Sequence, residues 1–216
     1  MPHDGHDPLS PSGHPYRPDQ DEPLTYWQCM EIAIRELLVE KGVTTDAAIR
    51  AQVQTMDDRG PAQGARVVAR AWADPDFHHR LRSDGSAACR ELGIEVGPMK
   101  LIAVSNTPDL HNVVVCTLCS CYPRNLLGLP PDWYKSREYR SRTVREPRAV
   151  LREFGTTLPE GVAVRVHDST ADMRYLVVPM RPDGTEGWTE GALAACVTRD
   201  AMIGVAQAAH PKSDGI

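Results

Sequence analysis

The order of its periodicities predicts an α+β chain, an N-terminal helical arm followed by a layered domain with helices flanking a β-sheet core. Three observations carry that prediction. Apolar residues recur at helical spacing from residue 23 to about residue 92. Short apolar runs of strand character follow at 100–105, 112–115, 162–166 and 175–178, and a helical stretch returns at 189–197. With 216 residues and 41% hydrophobic side chains, the chain can bury one substantial core plus an appended arm. Boundaries are expected at 1–22 for a disordered tail, 23–60 for the arm, 61–206 for the α+β domain and 207–216 for a flexible tail.

Met1 to Glu22 is rich in Pro, Asp, Gly and His (His3, His6, His14), a composition that cannot bury a core. From Pro23 to Lys41, the apolar Leu24, Trp27, Ile32, Ile34, Leu37 and Leu38 mix with charge at helical spacing, and Gly42 supplies the stop. A second helix opens behind Thr44 or Thr45 and runs through Met56. Pro61 to Ala73 is a third, with Val67, Val68 and Trp72 as its apolar stripe and Asp74-Pro75 ending it. A short helix through Phe77 and Leu81 follows, then another from Ala87 to Leu92 that Gly93 closes. Lys100 to Ser105 and Asn112 to Val115 read as strands separated by a turn at Pro108-Asp109. Pro130-Pro131 starts a helix carrying Trp133, Tyr134 and Tyr139, and Arg148 to Phe154 is a last helical turn closed by Gly155. Val162 to Val166 and Tyr175 to Val178 are expected to pair with each other, and Thr189 caps a closing helix to Val197.

The formal net charge of −5, with no Lys/Arg block, argues against nucleic acid. No apolar run has the length of a membrane span, and the start lacks the apolar core of a secretory signal, so a cytoplasmic location is expected. Of six cysteines, Cys29, Cys89 and Cys196 are scattered and are expected to pack as small buried apolar residues.

The other three stand in Cys116-Thr117-Leu118-Cys119-Ser120-Cys121, delivered by the second strand. That spacing brings three sulfurs and the intervening amides within reach of one ion, which makes 61–206 a metal-binding domain. Zinc accepts thiolates so spaced but needs a fourth ligand, for which His111 is the nearest candidate. A cluster without metal would oxidise readily. Backbone amide nitrogens of the loop could instead complete a square base around trivalent cobalt or iron, leaving an open axial position for catalysis.

The run from His111 through Cys121-Tyr122-Pro123, followed by Leu127-Gly128-Leu129-Pro130-Pro131-Asp132-Trp133-Tyr134-Lys135, resembles the α subunit of a nitrile hydratase. So do Tyr139-Arg140-Ser141-Arg142, Arg145-Glu146-Pro147-Arg148, Arg174-Tyr175 and the segment from Val197 to Val205. The resemblance implies that the sulfurs of Cys116, Cys119 and Cys121 and the amides of Ser120 and Cys121 hold the metal, with Cys119 as sulfinate and Cys121 as sulfenate. Thr117 favours Co3+, Fe3+ being the alternative. It also implies a β-type subunit whose arginines hold the oxidised cysteines and which the helical arm clasps, and a helper protein for cobalt insertion. The implied reaction hydrates a nitrile to its amide, with oxygen reaching the nitrile carbon from Cys121 or from a water it activates.

Three positions depart from the family pattern: Ser105, His167 (in His167-Asp168-Ser169) and Arg124, which replaces an aromatic residue just past the claw. Arg124 would make the approach more polar and points to a polar or large nitrile, such as a nucleoside nitrile. Glu91 holds the place of a glutamine that can face the metal pocket. A metal subunit of thiocyanate hydrolase is one alternative, and a non-catalytic zinc or interaction module is another.

Overall fold

The computed structural model describes residues 24–57 and 59–209, so the expected tail at 1–22 and residues 210–216 lie outside the described residues. The chain divides into two compact units, Met1–Ala51 and Gln52–Ile216. In the first, α1 (Tyr26–Glu40) is capped by Thr25, whose Oγ1 accepts from the Gln28 amide while Gln28 Oε1 accepts from the Thr25 amide at 2.8 Å. That reciprocal box satisfies two donors that a helix start leaves orphaned. Helix α2 (Asp46–Asp57) opens behind Thr45, whose Oγ1 accepts from the Ala48 amide. No residue of α1 is buried, and Trp27, Met30, Ile34 and Leu37 form an exposed stripe at helical spacing. Cys29 on this helix is exposed, against the expectation of burial, because α1 has no buried face for it to join. Cys89 and Cys196 are buried as expected.

In the second unit, α3 (Pro61–Ala73) buries Val67, Val68 and Ala71. Helices α4 (Pro75–Ser83) and α5 (Gly85–Glu91) start at Asp74 and Asp84, whose carboxylates accept amides of Asp76 and Phe77 and of Ala87. Each cap stops one helix and opens the next. Strands β1 (Lys100–Ser105) and β2 (Leu110–Val115) follow.

After the cysteines, the chain makes an unexpected single turn, α6 (Arg124–Leu127). The single helix expected from Pro130-Pro131 is two, α7 (Asp132–Lys135) and α8 (Arg137–Arg145). Ser136 breaks it: the residue is extended (φ −63°, ψ 146°) and its Oγ accepts from the Tyr139 amide, restarting the helix. Across that break, Trp133, Tyr134, Tyr139 and Phe154 pack edge to face. Helix α9 (Pro147–Glu153), β3 (Ala163–Asp168), β4 (Met173–Val178), α10 (Glu190–Ala195) and α11 (Arg199–Ile203) complete the described chain.

Strands β3 and β4 do not pair with each other as adjacency in sequence suggested. Instead, β3 runs parallel to β2 with Leu110 opposite Ala163 and Val115 opposite Asp168, and β4 runs parallel to β1 with Lys100 opposite Met173. The reason is burial on both faces. His111 to Val115 and Leu176 to Val178 are buried at consecutive positions, which needs cover on both sides of each strand, as parallel pairs with flanking helices provide and an isolated hairpin does not.

Gly204, at φ +91°, ends α11 against the start of β2, and its carbonyl oxygen accepts from His111 Nε2 at 2.7 Å. A Cβ there would overlap the Asn112 carbonyl oxygen and come within 2.9 Å of Val113 Cα. Backbone atoms cannot move aside, so Gly204→Ala is expected to lower stability by about 3 kcal/mol or more, measured as the shift in the urea midpoint. A change below about 0.5 kcal/mol would show that this packing is not rigid.

Candidate metal centre

Strand β2 is buried from His111 to Val115 and ends at Cys116, which is itself buried. Two hydrogen bonds clamp that end: Tyr139 Oη donates to Val114 O at 2.7 Å, and the Ser169 amide donates to Val115 O at 2.7 Å. The loop that follows therefore leaves a fixed strand end, which is the rigidity a preformed ligand set requires.

The loop turns back on its first sulfur. The Cys119 amide donates to Cys116 Sγ at 3.3 Å, and the Cys116–Cys119 and Cys119–Cys121 sulfur separations are 3.6 and 3.3 Å. All three sulfurs lie within 4.8 Å of one another, too far apart for a disulfide bond and close enough for one ion. Hydrogen bonds from the Cys121 and Cys116 thiols, then from the Ser120 amide, hold the Cys119 thiol below its ordinary range. Burial, followed by its hydrogen bond to Cys119, pushes the Cys121 thiol up, with Arg174 opposing.

Neighbouring elements grip the loop from outside. Asp168, the last residue of β3, accepts from the Thr117 amide at 2.9 Å and from Thr117 Oγ1 at 2.5 Å. Arg140 on α8 donates to Cys119 O at 3.2 Å and to Thr117 O at 3.5 Å. Tyr134 Oη donates to Cys121 O at 2.9 Å. Of these, Asp168 was named in the sequence only as part of a departing tripeptide, and Tyr134 and Arg140 only as helix residues or within runs that carry the resemblance, with no role at the claw. The signal that could have found Asp168 is the register of β3 against β2, which places it beside Val115 at the root of the loop.

Ser120 is half-buried beside Cys119, and the amides of Ser120 and Cys121 help to hold the Cys119 thiol low. Arg124 begins α6, is exposed, and its guanidinium has no hydrogen-bonding partner among the described residues. Glu91 lies at the end of α5, exposed and bound by Arg80 through contacts of 2.9 to 3.3 Å. His111 does not join the cysteines. It sits at the far end of β2, about 17 Å away at the rise of a strand, with its nitrogens against Gly204 O and Asn106 Nδ2. A zinc site completed by His111 is therefore excluded by geometry.

Three thiol sulfurs on a clamped strand end, with the Cys119 amide turned in on Cys116, define a metal-binding α+β subunit. The chain belongs to the nitrile hydratase α-chain family, whose pattern, described as "Nitrile hydratase, alpha chain", matches residues 25–206. It is 50% identical over 183 residues to the low-molecular weight cobalt-containing nitrile hydratase subunit alpha of Rhodococcus rhodochrous, covering 83% of this chain and 87% of that one. It is 44% identical over 197 residues to the thiocyanate hydrolase subunit gamma of Thiobacillus thioparus, covering 86% and 81%. Among solved structures, a double mutant of the Fe-type nitrile hydratase from Comamonas testosteroni Ni1 superposes with a TM-score of 0.80 at 42% identity, over 88% of this chain and 94% of that one. Among the described residues, no helix is long and apolar enough to cross a membrane.

Asp168→Asn tests the outer grip. An amide can accept from only one of the two Thr117 donors and turns its own NH2 toward the other. The variant is expected to lower cobalt affinity about tenfold or more, measured as metal per chain over a cobalt titration. Full loading at wild-type concentrations would show that Thr117 is held by other means.

Proposed function

We propose that this chain is the metal-binding catalytic subunit of a nitrile hydratase, hydrating a nitrile to the corresponding amide at a non-corrin trivalent cobalt centre. The observation that carries the reading is the claw itself, three sulfurs within 4.8 Å with the Cys119 amide turned onto Cys116, in a chain half identical to a cobalt-containing subunit alpha. Thr117 supports cobalt over iron by resemblance, and an Fe-type structure of the same fold keeps iron as the alternative.

Cys116, Cys119 and Cys121 would hold the ion through sulfur, and Ser120 and Cys121 through their amide nitrogens. Bound there, a trivalent ion supplies the Lewis acidity that makes a nitrile carbon electrophilic. Cys121, as a sulfenate, would present an oxygen that takes a proton from a water as the water oxygen bonds to the nitrile carbon, or that itself adds to the carbon and is then displaced from it by a water. In either course the water's proton goes to the nitrogen as one C–N π bond opens, the sulfenate is regenerated, and tautomerisation gives the amide. Cys119, as a sulfinate, donates less charge to the ion and so tunes its acidity. The exposed side of the loop leaves substrate a route to Cys119 and Cys121, while Cys116 faces the core.

Arg124 and Glu91 are the pocket residues of this reading. Glu91 would have to leave Arg80 to face substrate, so specificity is best tested at Arg124, an exposed cation three residues beyond Cys121. It favours a polar or large nitrile. The same cation, with the 44% identity to a thiocyanate hydrolase subunit, supports the second reading, in which the substrate is thiocyanate.

The chain is inferred to work with a β-type subunit. Its relatives are named as subunits, and the exposed apolar stripe of α1 offers a surface that a partner would bury. A helper protein for cobalt insertion and a cytoplasmic location belong to the same proposal.

Elemental analysis after expression with cobalt, iron and zinc all present tests the metal. About one cobalt per chain, with nitrile hydration once the partner is added, is the expected result. Zinc alone with all three thiols reduced would favour a non-catalytic module, and thiocyanate turnover without nitrile turnover the second reading. Cys121→Ala should reduce turnover at least about 1,000-fold, the scale of a lost catalytic group; a near-normal rate with metal still bound refutes its role. Arg124→Trp is expected to shift kcat/KM from polar toward apolar nitriles by about tenfold, the scale of one pocket contact. An unchanged ratio removes Arg124 from the pocket.

A further inference from the structure

We propose that Arg140 is a positioning residue for the metal centre: through Cys119 O, its guanidinium sets the Cys119–Ser120 peptide so that the Ser120 nitrogen faces the sulfurs. This rests on the metal-centre reading above. A trans peptide is planar, and its carbonyl and amide groups point in opposite directions. Arg140 Nη1 lies 3.2 Å from Cys119 O, and the amide of the same trans peptide, that of Ser120, points the opposite way, away from Arg140. Fixing the one fixes the other.

Charge reinforces the geometry. An amide nitrogen that binds a metal does so as an anion, its proton released to solvent as the ion enters. Resonance shares the resulting charge with the carbonyl oxygen. A guanidinium donor at that oxygen makes a charge-assisted hydrogen bond, stronger than the neutral one it replaces. Two other carbonyls in the loop have a side-chain donor: Thr117 O, held more weakly by Arg140 itself, shares its peptide with the Leu118 nitrogen, and Cys121 O, held by Tyr134, shares its peptide with the Tyr122 nitrogen. Arg140 is thus the cation placed on a ligand peptide.

Its neighbours on α8 are not so placed. Arg145 donates to Ser141, Arg142 is committed to Glu146 and Glu153, and Arg137 shares the groove beside Thr117 without a bond to the loop. Arg137 is therefore the control for a solvated arginine on the same face.

The test uses the chain purified with its partner subunit after growth in cobalt, as wild type, Arg137→Met, Arg140→Lys and Arg140→Met. Cobalt per chain is measured with the sulfur and nitrogen neighbours of cobalt by X-ray absorption, and the thermal midpoint reports folding. Arg137→Met should match wild type. Arg140→Met should lose about tenfold or more in cobalt affinity, and the cobalt that remains should keep three sulfurs but fewer nitrogens. Arg140→Lys, a cation without the planar fork, should recover part of both. A general loosening of the loop would remove sulfurs as well, and counts against the proposal. Wild-type loading and coordination in Arg140→Met overturns it. Should that variant fail to fold, the nitrogen count in Arg140→Lys decides, a loss supporting the proposal and a wild-type count overturning it. A wild-type complex that takes up no cobalt overturns the metal-centre reading, and this inference with it.

Discussion

Three sulfur atoms within 4.8 Å of one another cannot all be thiolates without a cation among them. Hydrogen bonds from the other thiols hold the Cys119 thiol low, while burial raises that of Cys121, so the sulfurs do not take up charge alike. A bound ion would settle that conflict by charge. The loop must therefore hold its sulfurs together against their own repulsion, and the surrounding fold supplies the restraint. Cys116 continues a strand that is buried on both faces, Asp168 takes both polar hydrogens of Thr117, and Tyr134 and Arg140 take carbonyl oxygens further along.

That restraint reaches back through the parallel pairing. Because β3 runs beside β2 in the same direction, its last residue, Asp168, arrives at the end of β2 where the claw begins. A local β3–β4 hairpin would not bring it there. Asn112 reinforces the frame at the other end, donating to Ser105 O of β1 and accepting at Oδ1 from His167 of β3 across 2.8 Å, while His111 anchors the start of β2 to Gly204. Asn112 is buried, and such bonds offset the cost of burying its amide.

The α+β class, the third helix, strand β1 and the cysteine cluster were all legible in the sequence, since each rests on local spacing. Helix α3 buries the predicted Val67 and Val68, and β1 spans the predicted Lys100 to Ser105. Strand pairing was not legible, because consecutive apolar residues say that a strand is buried and not which strand covers it. The break at Ser136 was missed because a serine inside helical spacing reads equally as an exposed helix residue or as a cap. Asp168, Tyr134 and Arg140 stand 51, 13 and 21 residues from their partners in the claw. No local pattern marks such contacts, although the residue types, one carboxylate, one phenol and one guanidinium, are those that backbone groups of a tight loop need.

Leu118 is the residue that the loop could not place. With Cys116 turned inward and Thr117 tied to Asp168, its side chain points outward and is 84% exposed. An exposed leucine forgoes about 1.5–3 kcal/mol relative to a buried one. The stripe of α1, with Trp27 76% exposed, leaves a larger apolar area uncovered. On the proposed assembly with a β-type subunit, burial of these two surfaces would drive association, and one of them is the catalytic loop. Covering Leu118 would also narrow the access of water to Cys119 and Cys121 and lower the local dielectric, which strengthens every charge interaction that Arg140 and Arg174 make with the claw. Assembly and completion of the active site would then be one event, driven by apolar burial and expressed as electrostatics.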